Sequence, residues 1–278
     1  MLRLVLAVAC LAAGAARAAG DPAASAAVAA GNSTVAADPY PWIAAAYVVK
    51  RDGALLWAGS AERRLAPASL AKLMTALLAL ERGALEETAT VGRSVLQVTG
   101  TRIGLKPGEK LRAGDLLAAT VVRSANDACR ALAEHLGSTK DRFVSRMNER
   151  AAALHLADTH FADPCGHDRE GQYTTASDLA RLAEEVMRHD EYLRLAGLQR
   201  LTIRTLDGRS FALRNTNALI GRYPGAIGLK TGYTEGAGMC LVVLAERDGV
   251  RVLAVLLNAP NRWWNAVGLL DRAFAAPR

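Results

Sequence analysis

Along the chain the spacing of apolar residues changes twice, from alternating short runs to a helical repeat and back again. Ala44 to Lys50 and Ala54 to Ala58 are short apolar runs around Asp52-Gly53, which predicts a β-hairpin. Between residues 67 and 190 the spacing is mainly helical: Leu70, Leu73, Met74, Leu77 and Leu78 share a face, as do Phe143, Met147 and Leu154. Gly137 is placed to cap the end of one helix. Thr175 and Asp178 are placed to start another, which carries Leu179, Leu182 and Val186. After residue 200 strand chemistry returns. Leu201 to Thr205 and Ser210 to Leu213 flank Asp207-Gly208, Ala226 to Leu229 reads as an edge strand, and Met239 to Ala245 and Val250 to Leu257 flank Asp248-Gly249. Trp263, Trp264, Val267, Leu270 and Phe274 predict a closing helix. Strands from both ends around a helical middle predict an α+β fold with one mixed sheet built from the two termini.

The N-terminus adds a destination. Arg3 precedes the apolar stretch Leu4 to Ala13, and Ala16-Arg17-Ala18 fits a small-x-small cleavage site, so residues 1–18 read as a secretory signal peptide. Residues 19–38, rich in Ala, Gly, Ser and Asp, read as a flexible leader, and residues 39–278 as one catalytic unit. The apolar stretch is too short to span a bilayer, and no later one reaches the necessary length. Export outside the cytoplasmic membrane, into a bacterial periplasm, follows. Three cysteines then remain, Cys129, Cys165 and Cys240. An odd number permits one disulfide, for which Cys165 with Cys240 is the expected pair; three buried thiols are the other option.

Composition changes little in this picture. The chain has 278 residues, 51% hydrophobic and 22% charged, which excludes a disordered chain. The formal charge is +7, and loss of Arg3 and Arg17 with the signal leaves +5. A basic exported protein with only 5% aromatic residues points to anionic surroundings, membrane surface or cell wall, and not to nucleic acid.

Three short motifs carry the chemistry. In Ser69-Leu70-Ala71-Lys72, residues three apart share a helix face, so a hydroxyl and an amine can meet. Lys72 and Thr75 are the only polar side chains from Leu70 to Leu80, so this helix is expected to be buried. Burial lowers an amine's pKa and makes it a base for the neighbouring hydroxyl. The bland alternative is a capping serine and a solvated lysine. In Ser124-Ala125-Asn126 the serine hydroxyl suits a proton relay and the amide a donor to a substrate carbonyl, although both residue types are also ordinary helix N-caps. In Lys230-Thr231-Gly232, at the end of the edge strand, a cation, a hydroxyl and a close backbone approach are combined. Each motif occurs once, in the order found among penicillin-interacting serine enzymes.

With these residues in place, the sequence resembles the serine-type D-Ala-D-Ala carboxypeptidases, the low-molecular-mass penicillin-binding proteins. Pro67 to Ala76, Pro107-Gly108-Glu109, Ser124 to Ala128, Gly171 to Thr175 and Lys230 to Thr234 all look like blocks of that family. The resemblance implies a β-lactamase/transpeptidase-like fold: a mainly antiparallel five-stranded sheet flanked by helices, with an inserted helical subdomain. It implies Ser69 as nucleophile, Lys72 as general base and Ser124 as proton relay. Asn126, Lys230, Thr231, Gly232, Tyr233 and Arg262 would bind substrate, with Thr231 and Arg262 receiving its terminal carboxylate. The backbone N–H groups of Ser69 and Tyr233 would form the oxyanion hole. Peptidoglycan stem peptides are the implied substrates and β-lactam antibiotics the implied covalent inhibitors.

The same resemblance marks departures. His167 stands where an apolar residue is expected, and the chain stops at Arg278 without the accessory domain or anchoring helix that members often carry, so no stable membrane anchor is expected. The rivals are a DD-endopeptidase with the same motifs, a class A β-lactamase, and a non-catalytic β-lactam-binding protein. The lactamase needs a Glu-x-x-x-Asn arrangement that Glu170 does not begin. No cofactor is expected. His160, Cys165 and His167 lack the spacing of a zinc site.

Overall fold

The computed structural model describes residues 39–277, so the expected signal peptide and leader lie outside the described residues. The chain enters through β1 (Ala46–Arg51) and β2 (Ala54–Gly59), then forms α1 (Lys72–Arg82), β3 (Thr88–Thr90) and β4 (Lys110–Arg112). Helices α2 (Ala113–Val122), α3 (Asn126–Gly137), α4 (Lys140–Ala153), α5 (Ala176–Val186) and α6 (Asp190–Gly197) follow. Strands β5 (Arg200–Arg204), β6 (Ser210–Arg214), β7 (Ala226–Thr234), β8 (Gly238–Arg247) and β9 (Val250–Leu257) precede α7 (Arg262–Ala275).

One five-stranded sheet, ordered β2-β1-β9-β8-β7, joins the two ends of the chain, and every neighbouring pair in it is antiparallel. The reason lies in the central runs. In β8 and β9 both faces are buried, and the period-2 alternation of a strand divides each run between two cores. Val242, Leu244, Val255 and Leu257 face the helical side, with α1, α2, α3 and α5. Leu241, Val243, Ala254 and Leu256 face α7, through Ala266, Leu269, Leu270 and Ala273. The edge position expected for Ala226 to Leu229 is the place of β7, which runs on through the Lys230 motif.

The strands after residue 200 divide in a way the sequence does not announce. β5 and β6 pair only with each other and stand apart from the main sheet. β6 alternates buried and exposed positions, so it has one face to bury, whereas β8 and β9 have two. Helix ends also differ in detail. Gly83 ends α1 in the left-handed conformation (φ 70°), and the Thr175 hydroxyl caps α5 by accepting from the Asp178 N–H, as its sequence predicts. At α3, however, Ser138 takes the left-handed position and Gly137 remains helical. The glycine there answers a packing need: a Cβ on it would lie 2.6 Å from the Phe143 Cβ.

Candidate active site

The three motifs converge on one cleft of about 720 Å³ between the helical region and the free edge of β7. Ser69 sits in a single 3-10 turn (Ala68–Ala71) that leads into α1. Its predecessor Ala68 is held in the left-handed region at φ 48°, a strained position for a side chain. Two glycines make room for this turn. A Cβ on Gly166 would lie 1.8 Å from the Ala68 carbonyl oxygen, and one on Gly232 would lie 3.0 Å from the Ala68 Cβ and 3.2 Å from the Ser69 nitrogen. Strand β7 and the 163–168 turn thus hold the Ala68–Ser69 backbone from two sides.

Lys72, the first residue of α1, is buried, and its three amine contacts are all short. Nζ donates to Ser69 Oγ at 3.0 Å, to Asn126 Oδ1 at 2.7 Å and to the Cys165 carbonyl at 2.5 Å. Burial pushes the Lys72 ammonium down to about 7, against the opposing attraction of Asp163. When neutral, the amine keeps two N–H donors for Asn126 and Cys165 and turns a lone pair to the serine hydroxyl. The geometry therefore suits proton transfer from the Ser69 hydroxyl to the Lys72 amine near neutral pH.

The second and third motifs meet through Lys230. Its Nζ donates to Ser124 Oγ at 2.7 Å and to the Thr231 carbonyl at 2.9 Å. Burial holds this ammonium well below the ordinary lysine range, and the charges of Lys72 and Arg262 push the same way. Ser124 does not cap a helix. Ala125 is the N-cap of α3 and receives no side-chain bond, while Ser124 itself is left-handed at φ 58° and turned to Lys230. Asn126 lines the cleft and is also tied into the protein. Its Oδ1 holds Lys72 and its Nδ2 donates to the Thr99 carbonyl at 2.6 Å, so one amide hydrogen is already used within the protein.

Arg262 opens α7 and lines the same cleft, with Thr231 and Thr216. Its guanidinium donates to the carbonyls of Gly232 (2.5 Å) and Cys240 (3.1 Å) and lies over the Trp263 ring. Burial lowers its pKa from the usual arginine value. Thr231 and Thr216 share a hydroxyl contact of 2.7 Å. A cation and two hydroxyls at one end of the cleft form a receptor suited to a carboxylate. Gly232 and Tyr233 continue along the free strand edge, where Tyr233 is exposed.

Several contributors have no motif in the sequence. Thr216 comes from the segment after β6. Asp127, which lies inside the Ser124 to Ala128 block but has no role assigned there, accepts from the N–H groups of Ile103, Gly104 and Leu105 and so fixes that loop. Cysteine pairing is a correction: the disulfide joins Cys129 of α3 to Cys165, with Cα atoms 5.9 Å apart, and Cys240 is a buried free thiol. Neither the expected Cys165–Cys240 pair nor the set of three thiols is present, because α3 passes behind the 163–168 turn while Cys240 lies within β8. Glu170, the residue weighed for a lactamase, lines a separate small depression with Gln172.

Residues 32–261 match the peptidase S11 family, D-alanyl-D-alanine carboxypeptidase. The chain belongs to this family. It is 36% identical over 239 residues to D-alanyl-D-alanine carboxypeptidase DacF of Bacillus subtilis (strain 168), covering 83% of this chain and 61% of that one. With DacB2 of Mycobacterium tuberculosis it shares 33% identity over 75% of this chain and 74% of the relative. The crystal structure of the Streptomyces K15 DD-transpeptidase superposes with a TM-score of 0.79 at 28% identity, over 84% of this chain and 98% of that one. An ampicillin-bound structure of penicillin-binding protein D2 from Listeria monocytogenes gives a TM-score of 0.73 at 31% identity, over 83% and 97%. The chain spans less than two thirds of DacF. Among the described residues no helix is long and apolar enough to cross a membrane.

Proposed function

We propose that this chain is an exported serine DD-carboxypeptidase that removes the terminal D-alanine from peptidoglycan stem peptides through an acyl-enzyme, with residues 39–278 as its catalytic unit. The observation that carries this reading is the desolvated Lys72 amine, 3.0 Å from Ser69 Oγ, in a cleft that ends in the cation and hydroxyls of Arg262, Thr231 and Thr216. The peptide lies along the free edge of β7, its terminal carboxylate between Arg262 and Thr231. Ser69 Oγ attacks the carbonyl between the two D-alanines and passes its proton to Lys72. The oxyanion forms against the backbone N–H groups of Ser69 and Tyr233. Ser124, held by Lys230, relays a proton to the leaving amine. D-alanine departs, and water then releases the acyl group. A β-lactam places its ring carbonyl in the same position, and its tethered leaving group blocks the second step.

The test is D-alanine release from diacetyl-Lys-D-Ala-D-Ala by the purified chain. Turnover by wild type and none by Ser69→Ala is expected. Rapid penicillin hydrolysis without D-alanine release would overturn the reading in favour of a lactamase, and activity retained in Ser69→Ala would overturn it outright.

A further inference from the structure

The β5–β6 hairpin carries a charge pattern that the reaction above does not use. Strand alternation divides its side chains between two faces. Ile203, Phe211 and Leu213 are buried in the helical-side core, and Leu201 packs against it. The opposite face holds Arg200, Thr202 and Arg204 of β5 and Ser210, Ala212 and Arg214 of β6, all of them exposed. This face has three cations and no acid. None of the three guanidiniums has a hydrogen bond, an ion pair or a ring contact among the described residues.

The strand register makes the pattern sharper. Arg200 is the cross-strand partner of Arg214, so two like charges stand directly opposite each other. The Cβ atoms of such neighbours are about 5 Å apart, and like charges there are destabilising. Solvation of an outward face asks only for polar residues, and mixed charges supply it without repulsion. Arg209, in the connection between the two strands, shows the contrast: it is paired with Glu109 and lies over the Phe211 ring. Three uncompensated guanidiniums on one face suit an external anion, since each can take a carboxylate through paired N–H donors.

Position and composition select the anion. The Arg200–Arg214 end of the hairpin leads into the cleft: Thr216, two residues beyond Arg214, lines it and touches Thr231. The face has no apolar side chain larger than that of Ala212, so it has nothing to insert into a bilayer. A water-exposed polymer bearing carboxylates therefore fits these arginines better than a lipid surface does. The polymer trimmed in the cleft is such a partner, because its stem peptides end in free carboxylates.

We propose that the outer face of the β5–β6 hairpin is a docking surface for peptidoglycan, on which Arg200, Arg204 and Arg214 bind carboxylates of stem peptides other than the one in the cleft. The identity of the partner rests on the carboxypeptidase reading above. Docking holds the enzyme on the polymer between turnovers, so it raises the rate on the wall and leaves the rate on a small soluble peptide unchanged. The attraction acts between exposed charges and weakens with added salt.

The test is cosedimentation with purified peptidoglycan sacculi, after penicillin has filled the cleft, for wild type and for the triple variant Arg200→Gln/Arg204→Gln/Arg214→Gln. Wild type is expected to bind and to be released by salt. The triple variant is expected to bind about tenfold more weakly, the scale of three exposed ion pairs. The charge-keeping Arg200→Lys/Arg204→Lys/Arg214→Lys is expected to recover most of the binding. Amidation of the sacculus carboxylates needs no variant and is expected to weaken wild-type binding as much as the triple glutamine substitution does. D-alanine release from diacetyl-Lys-D-Ala-D-Ala is expected to be equal in wild type and the glutamine variant. Unchanged sedimentation of a glutamine variant that still releases D-alanine overturns the docking face alone. Binding that survives amidation, or sedimentation with phosphatidylglycerol vesicles and not with sacculi, also overturns the proposal. Absence of D-alanine release by wild type overturns the carboxypeptidase reading.

Discussion

Burial sets the protonation of Lys72, and the proposed reaction depends on it. Because burial brings its ammonium down to about 7, the fraction of neutral base is expected to rise with pH through about 7 and to set the acid limb of kcat/KM. The sign follows from the role, since a base acts only after losing its proton. Lys72→Arg keeps a cation but cannot supply a lone pair, and is expected to lower acylation by about 10²–10⁴-fold in stopped-flow labelling. Arg262 is a different case. Its charge faces a pocket with two hydroxyls, so Arg262→Leu is expected to lower kcat/KM for the tripeptide by about 10- to 100-fold, the scale of a charge-assisted hydrogen bond. The pairing of Ser69 with Lys72 is legible in sequence because both lie on one short helical turn in an otherwise apolar run. Asp163 and Thr216 are not legible, because neither sits in a motif or a periodic run and each has a partner outside its own segment: Arg130 for one, Thr231 for the other.

At the scale of elements, the apolar spacing reports what each segment buries and not what it pairs with. Helix α1 and strands β8 and β9 are legible because their patterns are long and repeat. The separation of β5 and β6 from the main sheet is not, since a hairpin signature says nothing about a third strand. The 163–168 turn has no periodicity at all, yet it shapes the nucleophile's backbone through Gly166. Gly166→Ala puts a methyl carbon 1.8 Å from the Ala68 oxygen at φ 83° and is expected to abolish penicillin labelling and lower Tm measurably. Gly232→Ala meets its neighbours only at 3.0–3.2 Å and is expected to retain the fold with a smaller loss of labelling. Equal effects of the two substitutions in parallel melts and labelling assays would contradict this account of the turn.

For the molecule as a whole, the Cys129–Cys165 bridge ties α3 to the turn whose carbonyl holds Lys72. It closes a loop with a sequence separation of 36, and its reduction is expected to cost about 3–4 kcal/mol in denaturant melts. Labelling is expected to slow in parallel, even below the melting temperature. The basic surplus noted in the sequence is partly internal: Lys72 and Lys230 are buried, and the charge of Lys72 lowers the pKa of Lys230. Which cysteines pair was beyond the sequence, whereas the convergence of its three motifs on one cleft was not. The most direct measurement of the central claim is peptide mapping after brief incubation with a penicillin, read by mass spectrometry. The prediction is a single penicilloyl adduct on Ser69, lost in Ser69→Ala and slowed in Lys72→Arg. An adduct on Ser124, or none on wild-type protein, would contradict the account.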